Sequence, residues 1–96
     1  MRHDPTQAIR WTHMVVEHRA ALGEILRLAE RFPNDGALDG CRSWAQRTLR
    51  QLNVDAPYSS SIGEWGRNGK GPAIASQLHS ARTFAELAER RVRRAA

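Results

Sequence analysis

The sequence has one cysteine, Cys41, one lysine, Lys70, and no apolar stretch longer than a few residues. With a single cysteine no intrachain disulfide forms, and a reducing, cytoplasmic setting is the expectation. A membrane-spanning helix needs roughly 18 or more consecutive apolar residues, so no contact with the membrane interior is expected. The first residues, MRHDPTQ, place Asp4 and Pro5 where a secretory leader needs an apolar core. Period-two alternation is missing, which argues against a sheet. A phosphate-binding Walker loop is excluded by spacing. Five residues separate Gly63 from Gly69 where that loop has four, and Gly71 follows Lys70 in place of Ser or Thr. Neither paired carboxylates nor a nucleophile beside a base is set up by the spacing, so neither catalysis nor a cofactor is expected. His13, Glu17 and His18 approach a zinc-helix pattern but miss its spacing by one residue, and no cysteine pair completes a site.

Arginine takes the place of the missing lysine. The chain carries a net charge of +5, of which residues 1–41 contribute −1 and residues 42–96 contribute +6. Arg90, Arg91, Arg93 and Arg94 account for most of that; without them the sum is +1. Two readings of this basic terminus follow. Arginines at a helix C-terminus complement the helix dipole, or they form a patch for nucleic acid or an acidic protein.

Ninety-six residues suit one domain, 1–96. Asp4-Pro5-Thr6-Gln7 is a helix start, with a capping residue, a first-turn proline and a capping-box glutamine. From there Trp11, Val15, His18, Leu22, Ile25, Ala29 and Phe32 recur at spacings of four and three, which predicts a helix over 5–32. Phe32-Pro33-Asn34-Asp35-Gly36 ends it. Leu38, Cys41, Ala45, Leu49 and Leu52 predict a second helix over 38–53, antiparallel to the first. Pro72 opens a C-terminal region, 72–94, striped by Ile74, Leu78, Ala81, Ala85, Ala88 and Val92. Thr83-Phe84-Ala85-Glu86 fits a capping box, so that region is one helix or two. The expected fold is an all-α small helical bundle. Its long first seam suggests a homodimer, with Trp11, Val15, His18, Leu22 and Ile25 at the interface, where His18 would set register and loosen at acid pH.

Between the second and last helices lies SSSIGEWGRNGKGP, residues 59–72. Ser61-Ile62-Gly63-Glu64 fits a capping box, so a short helix is expected in 59–71, followed by an Asn68-Gly69-Lys70-Gly71 turn whose glycines supply positive φ. Ser60, Ser61, Ile62, Trp65, Asn68, Gly69, Lys70 and Pro72, with Thr48, Leu49, Leu52, Asn53 and Val54 before them, resemble the helix-turn-helix of Cro-like phage repressors. The resemblance covers about a third of the chain. It implies that Ser59, Ser60, Glu64 and Arg67 face a DNA groove and that Asn68 and Lys70 hold phosphates. The plainer reading is an ordered glycine-rich loop anchored by Trp65.

Two functions follow. The first is a small basic nucleic-acid-binding protein, a helix-turn-helix regulator or an accessory factor. Its contacts would come from Arg42, Arg47 and Arg50 on the second helix, Ser60, Arg67, Asn68 and Lys70 in the loop, and Arg90, Arg91, Arg93 and Arg94 at the end. The alternative is a non-enzymatic protein-binding module, an adaptor or a phage-type inhibitor of a larger complex, without nucleic-acid contact. No metal site is expected under either.

Overall fold

The computed structural model describes residues 5–95. The helices are α1 (Pro5–Arg31), α2 (Gly36–Asp55), α3 (Ile62–Trp65) and α4 (Gly71–Ala95), and a 3-10 turn, Ser59–Ser61, leads into α3. No strand occurs among the described residues. Arg19 hydrogen-bonds Asn53 at 3.0 Å and Trp11 reaches the Ala56 carbonyl at 2.9 Å, so α2 runs back along α1. Arg82 holds Glu24, and further along Arg31 approaches Glu89, so α4 runs parallel to α1. The result is an up-down-up bundle drawn out to 61 × 18 × 17 Å.

The apolar seam of α1 forms as its spacing predicts, but its partner is the chain itself. Trp11, Val15, Leu22 and Ile25 are buried, because α2 and α4 both lie along α1 and cover the seam over most of its length. His18 is turned onto the carbonyl of Trp65. These five residues are therefore not free to receive a second copy, and the expected oligomer interface is corrected to an intrachain core. Small residues bring α4 close. Ala81, Ala85 and Ala88 are buried beside Ile74, where longer side chains would hold the helices apart. The stripe stops there: Val92, expected to continue it, is exposed. Arg91 already pairs with Asp35 in the α1–α2 turn, so Val92 lies past the end of the helices that would bury it.

Helix ends account for the other differences. α2 starts at Gly36 because Asp35 caps it, its Oδ1 accepting from the Leu38 amide at 3.0 Å. It continues to Asp55, with the Ala56 amide bonded to the Leu52 carbonyl. α4 is one helix. Thr83 does not cap a break; its hydroxyl donates to the His79 carbonyl at 3.1 Å, a bond that a threonine makes inside a helix. Ser61 also makes no side-chain capping bond. Asp4, the expected cap of α1, lies outside the described residues, while Gln7 donates to the Ser59 carbonyl at 3.1 Å. None of the described helices is long and apolar enough to cross a membrane.

Candidate functional site

Trp65 organises the segment between α2 and α4. Its side chain is fully buried, and its indole N–H donates to Asp55 Oδ2 at 2.8 Å. The His18 ring meets its backbone carbonyl, and the Lys70 ammonium lies 4.5 Å from the centre of its ring. An indole carries negative charge on its face, so this placement is attractive. Trp65, through its indole and its backbone carbonyl, thus links α1, the end of α2 and Lys70, the residue before α4. On α1, His18 points inward to Trp65, while His13 is exposed.

The glycines of this loop serve close approach rather than special dihedral angles. No described glycine has positive φ, which corrects the expectation for residues 68–71. Instead the Lys70 amide donates to the Glu64 carbonyl at 2.8 Å and the Gly69 amide to the Gly66 carbonyl at 3.0 Å. A Cβ on Gly69 would sit 2.1 Å from the Glu64 oxygen. Only glycine lets the chain fold back this tightly over α3.

Because α2 extends to Asp55, only residues 56–58 separate it from the 3-10 turn. The segment that the phage-repressor resemblance would aim at DNA is that turn followed by the single turn of α3. Ser60 and Glu64 are exposed there, Ser59 is half-buried, and Arg67 is exposed in the loop that follows.

The expected nucleic-acid contacts fall into separate groups. Arg42 pairs with Asp39 on its own helix. Arg47 and Arg50 are exposed, with no acidic partner among the described residues. At the C-terminal end Arg90 pairs with Glu86 at 2.9 Å, Arg91 with Asp35 at 3.2 Å and Arg93 with Glu89 at 3.1 Å; Arg94 has no such partner among the described residues. Exposed pairs of this kind stabilise little, but each offsets a charge. This end also lies far from the loop. Arg91 is level with the α1–α2 turn and Arg67 with the start of α1, about 30 Å away at 1.5 Å per helical residue.

Near the loop the pattern reverses. Arg67, Asn68 and the backbone of Gly63 and Gly66 face Gln7 and Arg10 of α1 across a cavity of about 290 Å³. No carboxylate lines it, and neither arginine has an acidic partner among the described residues. Arg10, seven residues before Glu17 on α1, carries no sequence signal for this role, and only the fold brings it to the loop. A larger hollow of about 410 Å³ lies at the opposite end, but its cations Arg31 and Arg91 face Glu89 and Asp35.

The sequence also did not mark the outer side of α1. Ile9 and Val16, two turns apart, are 59% and 61% exposed, and Val54 and Tyr58 are exposed at the end of α2. No protein-family model matches this chain, and neither does any curated protein or solved structure.

Proposed function

We propose that this chain is a small basic nucleic-acid-binding protein, a regulator or accessory factor, that grips the phosphate backbone with the start of α1 and the 66–70 loop. The observation that carries the reading is the contrast in charge pairing. Arg10, Arg67 and Lys70 have no carboxylate partner among the described residues, whereas three of the four C-terminal arginines do. Unpaired guanidinium groups hold phosphate oxygens bidentately, and each contact releases a counterion, so binding weakens steeply with salt. Arg47 and Arg50, exposed on α2 without an acidic partner among the described residues, add to the positive charge. Such contacts position a nucleic acid without choosing a sequence. Base reading by Ser59, Ser60, Glu64 and Arg67, which the phage-repressor resemblance implies, is the sequence-specific form of the same proposal.

The test is fluorescence anisotropy of labelled random-sequence nucleic acid titrated with the full chain across salt. Binding whose logarithm falls linearly with the logarithm of salt supports the reading; no binding at low salt ends it. Exposed Ile9 and Val16 favour a second reading, a protein-binding module or self-associating chain that uses the outer face of α1. That reading expects salt-insensitive association in sedimentation, lost on replacing Val16 with Glu.

A further inference from the structure

We infer that the cavity between α1 and the glycine-rich loop seats one phosphate of a single-stranded nucleic acid, with a neighbouring base stacked on Tyr58. The inference rests on the nucleic-acid reading above and names its substrate class. The cavity measures about 290 Å³, at the small end of ligand sites, and a phosphate group fits within it. Arg10 and Arg67 reach it from two different elements, and Gln7 and Asn68 add amide groups. Gly63 and Gly66 present bare backbone. A Cβ built on Gly63 meets no heavy atom within 4 Å, so the space beside it is open. Glu64, the nearest carboxylate along the chain, is exposed and forms no part of the wall.

Tyr58 turns a general anion site into a strand-selective one. Gln7 lines the cavity and also donates to the Ser59 carbonyl at 3.1 Å. That bond ties Ser59, the residue next to Tyr58, to a residue of the cavity wall. Tyr58 is the only tyrosine of the chain and is 63% exposed. In a duplex the base faces are covered by their own neighbours. An exposed ring beside a phosphate seat therefore finds a base to stack on only when the strand is unpaired.

Anisotropy with labelled oligo-dT and with a duplex of equal length, on the full chain, tests this. Oligo-dT is expected to bind more tightly. Tyr58→Ala should weaken oligo-dT binding about tenfold, the effect of losing one stacked base, while Tyr58→Phe leaves it unchanged. Arg67→Glu should cost far more than Arg27→Glu, which alters the net charge equally but sits on α1 near its other end. Gly63→Gln leaves every charge in place and should still weaken binding by crowding the seat; circular dichroism checks each variant's fold. Equal affinity for duplex and single strand, with Tyr58→Ala silent, overturns the strand selectivity and leaves the nucleic-acid reading standing. Equal losses from Arg67→Glu and Arg27→Glu overturn the seat. Binding to neither probe removes the parent reading and this one together.

Discussion

His18 Nε2 lies 2.8 Å from the carbonyl oxygen of Trp65. A carbonyl only accepts, so this nitrogen carries the proton and donates. His18→Ala removes the donor from a partly buried carbonyl. The expected cost is about 1–3 kcal/mol, read as a lower urea midpoint at unchanged slope.

Two glycines of the loop region should respond in opposite senses to alanine. Gly69→Ala places a Cβ 2.1 Å from the Glu64 oxygen and 2.4 Å from its carbon, and the backbone must open to admit it. Overpacking of this kind costs about 1–3 kcal/mol. Gly63→Ala enters open space inside a helical turn and should stabilise by up to about 1 kcal/mol. Thermal melts of the two variants provide the comparison.

Arg82 makes a bidentate contact with Glu24, and this hydrogen bonding holds the Glu24 carboxyl below its ordinary value of 4.5. A carboxylate held down in the folded state stabilises it above that ordinary value. The contribution is lost as pH falls through the lower folded value. Denaturation midpoints from about pH 6 to about pH 3 should therefore decline less in Glu24→Gln than in the unaltered chain. Both side chains are substantially exposed, so the difference is small and shrinks with added salt.

Cys41 is buried, and desolvation, assisted by the charge of Asp35, pushes its thiol above the usual range. The thiolate is the reactive form. A thiol reagent should thus label the native chain slowly and the urea-unfolded chain at the rate of a free cysteine. Fast native labelling would mean that α2 opens readily.

The helices are legible because their apolar residues keep the helical period. Trp11 to Ala29 in α1 and Leu38 to Leu52 in α2 mark the buried faces directly. What covers those faces is not written locally. The long α1 seam suggests a second copy only until α4, with its alanines at 81, 85 and 88, is seen to lie against it. Capping is similarly ambiguous. Asp35 caps α2 and also pairs with Arg91, which lies 56 positions along the chain, while Thr83 fits a capping pattern yet bonds within α4. The candidate site was half legible. Arg67, Asn68 and Lys70 stand out in a glycine-rich loop, but Arg10 joins them only through the fold that Trp65 anchors. For the C-terminal arginines, composition counts their charge but does not show the carboxylates that the structure places beside three of them.

The most direct test of the account compares salt slopes for oligo-dT binding in two full-length variants. One carries Arg10→Ala and Arg67→Ala; the other carries Arg90→Gln, Arg93→Gln and Arg94→Gln. The first is expected to lose most of its affinity, with a slope reduced by about 0.7 per lost phosphate contact, while the second binds nearly as the unaltered chain does. The reverse pattern, with binding lost from the C-terminal variant and kept in the loop variant, would contradict the account.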